Sequence, residues 1–347
     1  MRVAAIVVGA FALAACLVGV RAGAQTHFVV RPLVSDRRSG DSSHDSQLVN
    51  AWGLASMKAG PWWVANEGRG TSTLYSSAGR KQLLTVAVGG GPTGVVFNSG
   101  TGFVIGHGEH AAPARFLYAC EDGRIRAWSP TVPHGWSKQT VVAVDASGTA
   151  AVFKGLALTH DRLYVTDFHN GHVLVFDRHW RPVLLRHAFV DSSIPSWYAP
   201  FNIVAVGNRL FVSYSWPAPV DGNDMPSGGF VDEFDLQGTL VARIGRTVAF
   251  AEPWGLAVAP RQFPRFGGDL LVSNFGSGQI DAFALRRGRW VAAGSLGVKV
   301  PGIWGIAFGT GGMSGPPTTL FFTAGPHLWF GSSELEVHGE LGSITSR

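Results

Sequence analysis

Six residues of oxygen-bearing or small type close six similar apolar runs. Asn66, Glu121, Asp167, Tyr214, Asn274 and Ala324 end PWWVAN, RFLYACE, RLYVTD, RLFVSY, DLLVSN and TLFFTA. Asn50, Asn202 and His169 lie close to them in sequence. Carboxylate and amide oxygens are the ligands that Ca²⁺ takes. If the runs converge on one axis, Asn66, Glu121, Asp167, Asn202 and Asn274 are therefore candidate metal ligands. A plainer chemistry competes for the same residues. Asn, Asp and Gly at strand ends cap turns by hydrogen-bonding their own backbone. Asp122-Gly123 and Asn170-Gly171 have that form.

A second set stands immediately before a recurring Gly phrase. Trp52, Thr93, Lys154, Phe201, Trp254 and Trp304 precede Gly53, Gly94, Gly155, Asn202, Gly255 and Gly305. Flat aromatic faces around a cleft suit stacking on sugar rings. Trp52, Lys154, Phe201, Trp254 and Trp304 are accordingly candidate ligand-binding residues. The competing reading is packing, because repeated aromatics also fill the centre of a fold or wedge between its repeats.

Other chemistries find little footing. The 12 His are dispersed, with no HExxH, CxxC or His-rich cluster, which argues against zinc. No Gly-x-Ser-x-Gly elbow occurs, and GGGP (89–92) lacks the Lys and helix of a phosphate loop. Cys120 sits inside an apolar run and reads as a buried residue rather than a nucleophile.

The elements that must position these residues are repeats. NAWGLA, GPTGVVF, FKGLAL, APFNIVAV, EPWGLAVAP and GIWGIAF return at intervals of about 40–60 residues, the mark of a stacked or radial repeat. Each is followed by the second run, then by a Gly-led third run such as GTSTLY, GRIRAW or GHVLVFD. A more variable fourth run follows, such as LLTVAV, VVAVDA, LLRHAFV (184–190) or LVARIG. Short β-branched and aromatic runs bounded by Gly, Pro, Asn and Asp read as strands. Four strands per repeat, arranged radially, predict an all-β, six-bladed β-propeller of four-stranded blades. The run FVVRPLV (28–34) has no blade of its own, and the last blade stops after its third strand. Residues 28–34 are therefore expected to pair with 339–345 and close the ring, leaving no open sheet edge there.

Gly is abundant at 46 residues and charge is sparse at 15%, as turns and two-sided burial require. Residues 25–347 read as a single domain. The loops at 106–114 and 217–229 are either functional or tolerated insertions. Residues 1–24 read as a signal peptide, with Arg2, an apolar stretch and Ala22-Gly-Ala24 before Gln25. Leu13-Ala-Ala-Cys16 offers the alternative of lipidation at Cys16. The expected location is secreted, periplasmic or cell-surface, with no transmembrane segment after cleavage. The net charge of +5 comes from scattered Arg with no aromatic-interleaved basic run, so nucleic acid is not an expected partner.

LVNAWGLA, ANEGRGTSTLY, ACEDGRIRAW, YVTDFHNGHVLVFD, SNFGSGQIDAF, IWGIAFG and LFFTAGP together resemble an uncharacterised family of exported proteins, often associated in bacteria with PEP-CTERM sorting. The resemblance spans Leu33 to Ile344 and implies a propeller similar to the NHL and gluconolactonase-like six-bladed type. It implies no established activity. The chain ends at Arg347 without a Pro-Glu-Pro tail, so anchoring by that route is not expected. Two functions follow as expectations. The first is a non-catalytic binding module for a cell-surface carbohydrate or protein. The alternative is a Ca-dependent hydrolase of lactonase type, with His169 as proton carrier.

Overall fold

The second runs are apolar at nearly every position, and they form strands buried on both faces. In the computed structural model these are Trp62–Asn66, Phe116–Cys120, Arg162–Asp167, Arg209–Ser215, Leu270–Asn274 and Leu320–Ala324. The structure describes residues 26–38, 40–217, 228–246, 248–326, 328–330 and 333–347. The proposed signal segment 1–24 and most of the 217–229 loop lie outside them. Among the described residues no helix is long and apolar enough to cross a membrane.

Each second strand pairs with an inner strand that carries the Gly phrase. The inner strands are Ala51–Ser56, Pro92–Phe97, Phe153–Leu158, Ala199–Val206, Pro253–Val258 and Ile303–Phe308. The third strands are Thr71–Tyr75, Arg124–Trp128, His172–Asp177, Phe230–Asp235, Ile280–Arg286 and Glu340–Ser346. Outer strands Lys81–Ala87, Val141–Asp145, Leu240–Ile244 and Arg289–Ser295 complete four blades and face water on one side. The fold is the six-bladed β-propeller that the repeats predict.

Closure follows the expected pairing. Phe28–Ser35 lies antiparallel to Glu340–Ser346, with Phe28 opposite Ser346 and Val30 opposite Ile344. Phe28 also stacks on Phe263 and Phe266 at 5.2 and 6.0 Å, tying the seam to blade five. Blade three differs from the expectation. Its fourth run, 184–190, forms no strand, and a bridge from Phe176 to Pro182 stands in its place. Proline has no N–H for a ladder, and His187 and Phe189 adopt left-handed backbone that breaks an extended run.

The Gly of the repeated phrase has a packing cause. Where the inner strands crowd the axis, a Cβ on Gly53 would lie 2.6 Å from the Thr93 carbonyl oxygen. One on Gly255 would lie 2.5 Å from the Trp304 carbonyl oxygen. Removing the side chain lets neighbouring strands meet. In blade four Asn202 replaces the Gly, and its Nδ2 donates across to the Trp254 carbonyl at 2.8 Å.

Buried hydroxyls lock the same level. Ser273 Oγ accepts from Gly255 N at 2.9 Å and donates to the Trp304 carbonyl of the next blade at 2.6 Å. Thr166 accepts from Gly155 N and donates to the Phe201 carbonyl at 3.1 Å. Thr323 does the same between Gly305 N and the Trp52 carbonyl. In each blade a register shift between the first and second strands falls beside the bonded glycine. The hydroxyl satisfies an amide that the shifted ladder would otherwise strand. This device was legible as the Ser or Thr before the last residue of VTD, VSN and FTA, but sequence reading passed over it.

Candidate functional site

The two sets of candidates lie at one end of the channel. Ala51 pairs with Asn66, Phe153 with Asp167, Pro200 with Tyr214, Pro253 with Asn274 and Ile303 with Ala324. The residue after each inner-strand partner is Trp52, Lys154, Phe201, Trp254 or Trp304.

Blade two breaks the sequence alignment. Cys120, not Glu121, pairs with Pro92. Glu121 is therefore equivalent to the next position along: Glu67, Phe168, Phe275 and Gly325. Backbone bonds say the same, since Glu67 N, Glu121 N, Phe168 N, Phe275 N and Gly325 N donate to the carbonyls of Asn50, Gly91, Val152, Glu252 and Gly302. One step along a strand reverses the face a side chain takes. Phe168 and Phe275 accordingly join the central aromatic layer, whereas Asn66, Asp167 and Asn274 turn into their own blades.

That layer comprises Trp52, Phe168, Ala199, Phe201, Trp254, Phe275 and Trp304. Trp52 stacks on Trp304 with centroids 3.6 Å apart, and Phe275 stacks on the same indole at 3.9 Å. Trp254 meets Trp52 edge-on at 5.6 Å, and Phe201 meets it edge-on at 6.0 Å. None of the four sequence-predicted aromatics is more than 4% exposed. Their faces cover one another, so they form a floor to the mouth and offer no open stacking surface.

Lys154, 1% exposed, rises from this layer with Nζ 4.6 Å from the Trp52 ring centroid. It donates to Glu121 Oε1 at 2.5 Å. The carboxyl groups of Glu121 and Glu67 both border Gly91. Glu67 Oε2 accepts from Asn50 Nδ2 at 3.0 Å, and Asn50 Oδ1 accepts from Trp304 Nε1 at 3.1 Å. Two hydrogen-bonded arms, Trp304–Asn50–Glu67 from blades six and one and Lys154–Glu121 from blades three and two, thus meet beside Gly91. Gly91, at φ +64, makes room for them: a Cβ there would lie 3.0 Å from Glu121 Oε2 and 3.2 Å from Glu67 Oε1. Burial raises the Glu67 carboxyl above its ordinary range, and the neighbouring Glu121 charge raises it further, against the Asn50 hydrogen bond.

The oxygens of Asp167 and Asn274 accept backbone amides close to their own blades. Asp167 Oδ1 accepts from Val152 N and Asn170 N, and Oδ2 from Asn170 Nδ2 at 2.8 Å. Asn274 Oδ1 accepts from Ala251 N, while its Nδ2 donates to Asp281. Asn66 Nδ2 donates to Thr71 and Thr73, while its buried Oδ1 meets no hydrogen-bond donor among the described residues. Among the described residues no group of three or more His, Cys, Asp or Glu converges as metal ligands would. As a donor set for Ca²⁺, Asn66, Glu121, Asp167, Asn202 and Asn274 do not fit, and the cation that meets Glu121 is Lys154. His169 is exposed on the turn after Phe168. Cys120 is fully buried, and burial pushes its thiol up to about 12, which keeps it unreactive.

Sequence reading named Glu121 and Lys154 but passed over Glu67. Asn66-Glu67 and Cys120-Glu121 align when runs are matched by strand end instead of by polar residue.

No family model matches the sequence. "Uncharacterized protein R648" of Acanthamoeba polyphaga mimivirus is 33% identical over 301 residues, covering 82% of this chain and 74% of that protein. "Uncharacterized protein L690" of the same virus is 30% identical over 297 residues, covering 80% of this chain and 78% of that protein. Among solved structures, virginiamycin B lyase from Staphylococcus aureus superposes with a TM-score of 0.52 at 9% identity, covering 92% of this chain and 99% of that one. The soluble aldose sugar dehydrogenase from Escherichia coli gives 0.51 at 13% identity, covering 92% and 100%. At such identities the structural likeness is one of fold. The sequence likeness to the viral proteins goes further, and the chain belongs to the family that those two uncharacterised mimivirus proteins represent.

Proposed function

We propose that the protein is an exported binding module that holds a hydroxylated ligand, such as a cell-surface glycan, where Glu67 and Glu121 meet. The observation that carries this reading is the carboxyl pair itself, held from behind by Asn50 and Lys154 over a rigid aromatic floor. Carboxylate oxygens accept hydrogen bonds from ligand hydroxyls, and charge-assisted bonds are the stronger kind. A mouth already wired by internal hydrogen bonds loses little freedom on binding. The aromatic residues Trp52, Phe201, Trp254 and Trp304 act here as support, and Lys154 balances the charge of Glu121.

One observation favours a second reading at the same place. A carboxyl raised by burial beside a second carboxylate is the arrangement of a proton carrier. Glu67 would then transfer a proton to or from a bound substrate, with Glu121 beside it in its ion pair with Lys154.

The test is a glycan array probed with residues 25–347, followed by titration of any ligand found. Glu121→Gln and Glu67→Gln are expected to weaken binding about tenfold or more with little change in melting temperature. No glycan bound, or equal binding by both variants, overturns the binding reading. Turnover of an ester or sugar substrate that is lost in Glu67→Gln would favour the proton carrier.

A further inference from the structure

Strands alternate in direction within each blade, so their connections fall on two sides of the ring. Those from second to third strand carry Glu67 and Glu121 and lie at the mouth. Those from inner to second strand, and from third to outer strand, lie on the far side. Contacts join the far-side connections from blade to blade. Ser77 N donates to the Met313 carbonyl at 2.6 Å and Met313 N to the Ala59 carbonyl at 3.0 Å, tying blade one to blade six. Phe28, at the start of the closing strand, stacks on Phe263 and Phe266 and ties blade six to blade five. Blades five, six and one thus present one continuous far surface.

Arginines that are scattered along the sequence gather there. Arg261 and Arg265 come from the inner-to-second loop of blade five, and Arg286, Arg287 and Arg289 from its third-to-outer hairpin. Lys58 and Arg80 come from the same two connections of blade one. All of these side chains are exposed. Segments 57–61, 76–80, 260–268, 286–289 and 309–319 contain no Asp or Glu. Asp269, the next carboxylate along, is buried at 7% exposure. The far-side carboxylates Glu109, Asp161, Asp177 and Asp235 belong to blades two, three and four. The positive field of blades five, six and one is therefore not offset locally. Exposed Met57, Met313 and Leu285 stand among the cations.

Two chemistries meet on this surface. Guanidinium forks match phosphate oxygens, and every cation here except Lys58 is an arginine. Exposed methionine and leucine tips gain from burial in an apolar boundary. A bilayer of anionic lipid offers both phosphate and apolar boundary, whereas a nucleic acid or free phosphate offers only the first to aliphatic tips.

We propose that the far side of blades five, six and one is a docking surface for an anionic phospholipid bilayer. Its arginines meet headgroup phosphates, and Met57, Met313 and Leu285 reach the acyl boundary. The proposal goes beyond the glycan reading and does not rest on it. Docking by this side leaves the carboxyl pair facing away from the bilayer.

The experiment uses residues 25–347, because the apolar segment 1–24 would itself partition into lipid. The protein is sedimented with vesicles of phosphatidylcholine, and with vesicles of equal parts phosphatidylcholine and phosphatidylglycerol, at low and high salt. Binding to the anionic vesicles, weakened by salt, is expected. Each arginine near such a surface is worth about fivefold in partition, so Arg286→Glu with Arg287→Glu is expected to weaken binding about 25-fold. Arg38→Glu with Lys299→Glu makes the same change in net charge at exposed positions on the mouth side. That pair is expected to bind within about twofold of the parent, since charges beyond a Debye length are screened. Melting temperatures of all variants are measured first, and Arg261→Glu with Arg289→Glu repeats the test if the hairpin pair does not fold. Equal loss from the far-side and mouth-side pairs overturns the proposal, as does equal binding to both kinds of vesicle. Binding to a DNA duplex or to heparin, with none to the anionic vesicles, also overturns it and assigns the surface to a polyanion.

Discussion

Lys154 Nζ lies 2.5 Å from Glu121 Oε1, across the seam between blades three and two. The lysine is buried and the glutamate keeps partial contact with water, at 2% and 26% side-chain exposure. The lysine sits beneath the mouth, ion-paired with one carboxylate of the two. Removing it leaves a half-buried negative charge next to Glu67. Lys154→Ala is expected to cost about 2–4 kcal/mol, toward the lower part of the buried-pair range because water still reaches Glu121. Urea unfolding measures this. The double variant Lys154→Met with Glu121→Gln should lose less than Lys154→Ala alone, and an equal or larger loss would show that the ion pair is not the source.

Ser273 bridges two blades by accepting from Gly255 N and donating to the Trp304 carbonyl. Ser273→Ala strands a buried donor and a buried acceptor at once. A loss of about 1–3 kcal/mol is expected, with no change in the urea m-value. A loss below the error of the extrapolation would mean that water enters the seam.

Asp232 is fully buried against Arg243, and Asp191 shares the same guanidinium. Burial pushes the Asp232 carboxyl up to about 7; the Arg243 charge and hydrogen bond oppose this and the Asp191 charge adds to it. The folded state thus holds a proton more tightly than the unfolded chain does. The stability this contributes is fully present below the ordinary aspartate range and is lost as pH rises through about 7. The melting temperature of the parent relative to Asp232→Asn should therefore fall between pH 4 and pH 8. A flat difference would show that Arg243 keeps Asp232 ionised throughout.

The ring is closed by a strand from the other end of the chain. Phe28 is 8% exposed and packs on Phe263 and Phe266. Phe28→Ala is expected to cost about 3–4 kcal/mol, in the range for buried aromatic truncations. Faster hydrogen exchange should appear first at Glu340–Ser346, which pairs with this strand. Exchange that accelerates uniformly would mean the seam opens only with the whole fold.

Calcium gives a contrasting test. With Asp167 and Asn274 engaged in turns and Lys154 beside Glu121, chelator and added Ca²⁺ should both leave the melting temperature of residues 25–347 unchanged. Stoichiometric bound metal, with a melting point lowered by chelation, would restore the hydrolase alternative.

What the sequence by itself determined is the repeated part of the molecule. Blade number, the inner and second strands, and the pairing of 28–34 with 339–345 follow from local patterns. The glycine where strands crowd, the two-sided apolar runs and an unmatched strand at each end all announce themselves within a few residues. What only the tertiary structure decided is which side chains meet at the axis. Side chains alternate with a period of two, so matching Glu121 to Asn66 instead of to Glu67 assigned it to the opposite face. The aromatic residues before each Gly were visible, but their mutual burial depends on six strands closing at once. The pairing of Glu67 with Glu121, and of Glu121 with Lys154, joins residues on different blades. Their distances are set by the radius of the ring, and no stretch of sequence encodes that radius locally.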